Sequence, residues 1–142
     1  MEVSIYIKCR FRGNPRGAGE AAAVIEYIDK GSNTHNRQQR IEIEKDTRNA
    51  LHLKICNAAM RLLLKPCNIK IFIDCDYMAN ACRLGWVQKW QQDGWKKANG
   101  KPLANVEDWK GFYILTQIHT VTFGPYNEKY NEELEGILGG TT

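Results

Sequence analysis

GWVQKWQQDGWKKANGKPLANVEDW, residues Gly85–Trp109, holds all four tryptophans of the chain, Trp86, Trp90, Trp95 and Trp109, in an otherwise polar stretch. An indole ring is costly to leave in water. The segment therefore either folds back onto the body of the domain or offers its rings, with the ammonium groups of Lys89, Lys96, Lys97 and Lys101, to a ligand.

A chain of 142 residues is one domain by size, able to bury roughly two-thirds of its unfolded surface without staples. Twenty Lys and Arg against 16 Asp and Glu give a net charge of +4, which suits an anionic partner without demanding one. The five cysteines, Cys9, Cys56, Cys67, Cys75 and Cys82, are odd in number and form no CxxC pair. His35, His52 and His119 are scattered, so no structural zinc is expected. No stretch resembles a signal peptide or reaches the length of a membrane span, and there is no internal repeat. These features predict a reduced, soluble, cytoplasmic protein with no membrane association.

Residues 3–9, VSIYIKC, alternate Val3, Ile5, Ile7 and Cys9 against Ser4, Tyr6 and Lys8, the period of a strand with one face toward a core. Gly13 to Gly19 reads as a turn by composition, Ala21 to Ile28 as a second strand, Gly31 to Asn36 as another turn, and Arg40 to Glu44 as a third strand. An antiparallel meander follows. Leu51, Ile55, Ala58, Ala59, Leu62 and Leu63 then recur at helical spacing, with Asp46 or Thr47 as N-cap and Pro66 beyond the end. Asn68 to Asp74 reads as a buried strand, with a helical stretch from about Tyr77 into the tryptophan segment. Val106 to Gln117 reads as a helix, His119 to Phe123 as a last strand, and Glu128 to Leu138 as a closing helix. The order is that of an α/β domain.

This order and several words in it resemble bacterial type-one ribonuclease H, which cuts the RNA strand of an RNA–DNA hybrid. IYIKCRFRGNPRGAG is similar to that family's first strand and glycine turn, IFIDCDYM to its fourth strand, and residues 85–109 to its basic, substrate-binding protrusion and the helix after it. The spacing of Trp86, Trp90, Gly94, Trp95, Lys101, Pro102, Asn105, Val106 and Trp109 is the most specific part of the match. The resemblance covers nearly the whole chain. It implies a single ribonuclease H-like domain over residues 1–142, with a mixed five-stranded sheet, three strands antiparallel and the others parallel, and helices on both faces.

Enzymes of that family hold two divalent cations on clustered carboxylates, because magnesium selects hard anionic oxygens. Carried over position by position, the first-strand aspartate falls on Lys8, the helix glutamate on His52 and the last-helix aspartate on Asn131, while the fourth-strand aspartate is retained as Asp74. The loop that carries a histidine before the last helix is shortened to Pro125 and Tyr126. Asp76, or Glu132 if the last helix shifts by one residue, would supply a further carboxylate, but neither repairs the first strand. An ammonium there has no lone pair to offer, and like unit charges 4 Å apart repel by roughly 4 kcal/mol at an effective dielectric of about 20. Metal binding is expected to fail.

Lys8, Arg10, Arg12, Arg16 and Arg48 make the former acidic site basic, either as a phosphate grip or as a solvated charged face. His52 reads as a buried, hydrogen-bonded histidine or as an imidazolium paired with Asp74. Cys9 and Cys75 read as small apolar packing groups. Asn14 and Asn49 match family positions that contact the hybrid, although asparagine also favours turns and helix starts for local reasons. In the protrusion Trp86, Trp90 and Trp109 are expected to pack at its base, Trp90 also being counted with the nucleic-acid surface. Lys89, Lys96, Lys97 and Lys101 remain as phosphate contacts where Gln91, Gln92 and Asp93 replace a basic run. Because of that replacement, the Lys8 to Arg16 cluster is expected to be the principal phosphate contact.

The sequence therefore predicts a monomeric, catalytically degenerate ribonuclease H-like domain that binds an RNA–DNA hybrid or duplex RNA and needs no cofactor. Two alternatives stand beside it: a nuclease with magnesium or manganese in a rearranged site around Asp74, Asp76 and Glu132, and a protein-interaction scaffold.

Overall fold

A computed structural model describes residues 1–139. β1 (Glu2–Gly13), β2 (Arg16–Ile28) and β3 (Thr34–Thr47) form the antiparallel meander, while β4 (Asn68–Phe72) runs parallel to β1 and β5 (Thr120–Gly124) parallel to β4. The sheet order is β3-β2-β1-β4-β5. β1 is thus central, hydrogen-bonded on both edges.

The meander strands are longer than their hydrophobic patterns. Arg10 and Arg12 lie on β1, and the reversal into β2 takes only Asn14 and Pro15, not Gly13 to Gly19. The glycines serve a close approach instead. A Cβ on Gly17 would stand 2.3 Å from the Arg12 carbonyl oxygen, and the β2–β3 register shifts between Gly17 and Gly19. Glycine marks bulges as well as turns, and composition alone does not separate them. β3 likewise starts at Thr34, inside the expected turn.

Both faces of β1 are covered. Val3, Ile5 and Ile7 join β4 and the first helix in the larger core cluster. Tyr6, placed by alternation on the opposite face, is equally buried, stacked on Phe72 at 5.0 Å and edge-on to Tyr130 at 5.0 Å, among Val24, Leu134 and Leu138.

α1 (Arg48–Met60) starts where Thr47 accepts a hydrogen bond from the Ala50 N–H at 3.1 Å, so Thr47 is the cap. It packs against the sheet and against α4 (Val106–Ile118), to which Asn57 Nδ2 donates at the Asp108 carbonyl and Lys54 pairs with the Asp108 carboxylate at 2.7 Å. Between β4 and α4 the expected helical stretch is two helices, α2 (Asp76–Arg83) and α3 (Trp86–Gln92). Gly85, at φ 73°, makes the break in a left-handed conformation open to glycine at little cost. The closing helix is a 3₁₀ turn (Glu128–Tyr130) followed by α5 (Asn131–Ile137), whose Leu134 is buried on the Tyr6 face. Among the described residues no helix is long and apolar enough to cross a membrane.

The tryptophans pack. Trp109 is fully buried, with the rings of Trp90 at 5.0 Å, Phe112 at 5.5 Å and Tyr77 at 5.8 Å around it, and Trp95 lies edge-on to Tyr113 at 5.9 Å. Trp90, counted above with the nucleic-acid surface, is half-buried between Trp86 and Trp109. Replacing Trp109 with Ala is expected to destabilise the domain by about 3–5 kcal/mol, measured by urea unfolding. A loss below about 1 kcal/mol would contradict this packing.

Candidate functional site

Where β4 ends, the chain remains extended because the Ile73 N–H donates to the Gly124 carbonyl at 3.2 Å. The parallel register that pairs Tyr6 with Phe72 then carries Asp74 to the level of Lys8. At this level a cavity of about 230 Å³ is lined by Ile7, Lys8, Cys9, Arg48, His52, Ile73, Asp74 and Tyr126. Three of the four transferred positions, Lys8, His52 and Asp74, therefore meet at one cavity. The fourth, Asn131, reaches it through Lys8.

Lys8 Nζ donates to Asn131 Oδ1 at 2.9 Å and to the Glu135 carboxylate, and stands 5.9 Å from the Tyr126 ring centroid. The Tyr126 hydroxyl donates to the same Asn131 oxygen. Burial holds that phenol above its ordinary range, so it stays a protonated donor. Arg10 is also bonded to Glu135, and its guanidinium reaches the Leu138 carbonyl at 3.5 Å. Glu135 went unread in the sequence. It lies four residues after Asn131, one helical turn along the same face, and that spacing was the available signal.

The other basic residues disperse rather than gather. Arg12 is bonded to both Glu20 oxygens at 2.9 Å, and Arg16 to the Lys45 carbonyl at 2.9 Å, with Asp46 at 4.0 Å. Neither lines the cavity. The expected cluster from Lys8 to Arg16 around one cleft is corrected accordingly: Lys8 and Arg48 face the cavity, Arg10 is held by Glu135 of the last helix, and Arg12 and Arg16 have acids set beside them by the β1–β2 and β2–β3 pairings. Arg48 is exposed at the first turn of α1, its guanidinium 5.5 Å from the Phe11 ring centroid. Asn14 and Asn49 are exposed, in the β1–β2 turn and the first turn of α1.

In the protrusion, Lys89 projects from α3, while Lys96, Lys97 and Lys101 sit on a closed turn. Lys96 bridges Pro102, the Lys97 N–H donates to the Lys101 carbonyl at 2.8 Å, and the Gly100 N–H donates to the Lys97 carbonyl at 2.9 Å. All four side chains are exposed, and among the described residues none forms an ion pair with a carboxylate.

His52 is 5% exposed, and its Nδ1 has no hydrogen-bond partner among the described residues. Burial, reinforced by the nearby Arg48 charge, pushes its pKa down to about 4 against the opposing pull of Asp74. The imidazolium–Asp74 pair is therefore corrected to a neutral ring, since desolvation outweighs the single carboxylate. Cys9 behaves as the packing group expected of it, its thiol pushed up to about 12 by burial with Cys75 nearby. Among the described residues no three His, Cys, Asp or Glu side chains converge to hold a metal ion; Asp74, Asp76 and Glu132 are each exposed.

In an NMR titration the His52 ring is expected to shift with a midpoint near 4. In the unfolded chain the same ring takes its proton near 6.5. Unfolding therefore binds a proton between these values, and stability falls as pH drops from about 6.5 to about 4. A midpoint above about 6 would restore the ion pair with Asp74.

Residues 2–124 match the family described as RNase H. The chain is 32% identical to the Ribonuclease H of Lachnoclostridium phytofermentans over 123 residues, covering 87% of this chain and 78% of the relative. It is 32% identical to the Ribonuclease H of Chlorobium luteolum over 139 residues, covering 92% and 91%. Among solved structures, a type 1 RNase H with the type 2 active-site motif superposes with a TM-score of 0.76 at 22% identity, over 99% of this chain and 73% of that one. The foamy viral protease-reverse transcriptase in complex with RNA/DNA hybrid superposes with a TM-score of 0.67 at 13% identity, over 96% of this chain and 18% of that one. The five-stranded order, the cavity at the end of β4 and these matches agree: this chain belongs to the RNase H family.

Proposed function

We propose that this RNase H domain has lost metal-dependent hydrolysis and retains nucleic-acid binding, with an RNA–DNA hybrid as its ligand. The observation that carries the first part is the Lys8 ammonium, bonded to Asn131 and facing the cavity that Asp74 and His52 also line. Two divalent cations need several anionic oxygens converging on them. Here the four corresponding positions offer one carboxylate, one carboxamide already engaged by Lys8 and Tyr126, and a buried neutral imidazole, with an ammonium at the first-strand position, and the neighbouring Glu135 carboxylate is itself engaged by Lys8 and Arg10. These side chains do not fit the metal pair.

The second part is supported by the protrusion. Its four exposed lysines lack carboxylate partners among the described residues, and the closed turn from Lys96 to Pro102 holds three of them near one another on a fixed backbone. Ammonium groups so placed bind phosphate without reading sequence, releasing counterions as they do. Lys89, Lys96, Lys97 and Lys101 therefore take the larger share of phosphate contact, with Arg48, Asn14 and Asn49 meeting the duplex near the cavity. A hybrid or duplex RNA is recognised by shape and backbone in this way.

Binding to a fluorescent RNA–DNA hybrid is expected to weaken with salt and to be indifferent to magnesium. Changing Lys96, Lys97 and Lys101 to Ala singly should each flatten the slope of log K against log salt by about one unit. Purified protein should leave the hybrid intact with magnesium or manganese, while the Lys8→Asp, His52→Glu, Asn131→Asp variant should cut it. Cleavage by the unaltered chain would sink the degenerate reading. Failure to bind hybrid, duplex or single strand at low salt would favour a protein-interaction scaffold.

A further inference from the structure

Lys8 and Arg10 stand two residues apart on β1, on the same face of the strand, and both are bonded to the carboxylate of Glu135 from α5. A carboxylate and a phosphate oxygen pair present the same charge and hydrogen-bonding edge to an arginine or lysine. We propose that Glu135 is a resident competitor for nucleic acid: its carboxylate occupies the place of a backbone phosphate on Lys8 and Arg10, and a phosphate of the bound hybrid must displace it. This inference rests on the nucleic-acid-binding reading of the domain.

Three features of the structure support displacement. The side chains of Lys8, Arg10 and Glu135 are 27%, 29% and 29% exposed, so an incoming anion and solvent reach the bridge. α5 is attached to the sheet by apolar contacts of Leu134 and Leu138 against Tyr6, Ala22 and Val24, which do not involve the carboxylate. Glu135 can therefore rotate away while its helix stays docked. Lys8 also retains Asn131 as an acceptor at 2.9 Å, which keeps its ammonium directed across the top of the sheet after the carboxylate leaves. The Lys8 hydrogen bond holds the Glu135 carboxyl below the usual carboxylate range, so the competitor stays ionised throughout neutral pH.

Lys8 and Arg10 are thus both held by the Glu135 carboxylate while it is in place. The protrusion lysines carry no such partner. First contact with the hybrid thus falls to the protrusion, and engagement at β1 follows only where a phosphate displaces Glu135.

The test is fluorescence anisotropy with an RNA–DNA hybrid across a salt series, using the whole chain and variants checked by thermal melting. Glu135→Gln preserves shape and removes the competing charge; it is expected to bind several-fold tighter, with the salt slope steeper by about one to two units. Glu133→Gln makes the same change in net charge at an exposed position of α5 that forms no ion pair among the described residues, and should stay within about twofold of the unaltered chain. Lys8→Gln combined with Glu135→Gln should give back about one unit of the gained slope. Equal binding by Glu135→Gln and Glu133→Gln would overturn the competitor role while leaving hybrid binding standing. No binding by any of the proteins at low salt would overturn the binding reading itself, and the competitor role with it.

Discussion

The placement of β1 governs the rest of the molecule. The strand is hydrogen-bonded to β2 and β4 on its two edges and covered by α1 on one face and α5 on the other, so its side chains have almost no freedom to change neighbours. Ile5 and Ile7 are locked into the larger core, and Tyr6 into the smaller one. Lys8 follows immediately, where the cores thin toward the cavity, and inherits that fixed position. A charge at such a point starts from a fixed backbone position and stands close to the last helix. The surroundings must answer it, and α5 does so with Asn131 and Glu135.

The consequence lies in what joins the last helix to the sheet. Convergent carboxylates repel one another and need cations between them. Here the cation is covalently part of β1, and the opposing helix supplies a carboxamide and a carboxylate, so the two elements are tied directly by hydrogen bonds. His52 completes the change from the α1 side. A glutamate in that buried place would need a counter-charge, whereas a neutral imidazole needs none. Together these side chains give a cavity whose walls are mutually compatible without an added ion.

Much of this was legible in the residues because the period of a strand and that of a helix differ and the two leave distinct apolar patterns. VSIYIKC announced β1, NIKIF announced β4, and the Leu51, Ile55 and Ala59 spacing announced α1. The ends of elements were less legible. Arg10 to Gly19 is polar and glycine-rich, yet pairs as strand, because backbone hydrogen bonding at an exposed hairpin asks little of the side chains. Lys8, His52, Asp74 and Asn131 were readable one by one as candidate site residues. The partners of Lys8 and Arg10 were not, because these ion pairs join residues far apart in the chain, as Lys8 and Glu135 are.

The sequence by itself determined the fold and the composition of the site: the tryptophans fall where they pack around Trp109, and Lys8, His52, Asp74 and Asn131 are the side chains brought to the end of β4. Tertiary structure alone decided which charges are spent and which are available. Apolar periodicity is a local property that survives in the one-dimensional pattern, whereas the state of a charge depends on burial and on whatever lies within a few ångströms. That is why His52 is a neutral ring rather than an imidazolium, and why Lys8 and Arg10 share Glu135 while the protrusion lysines stand open.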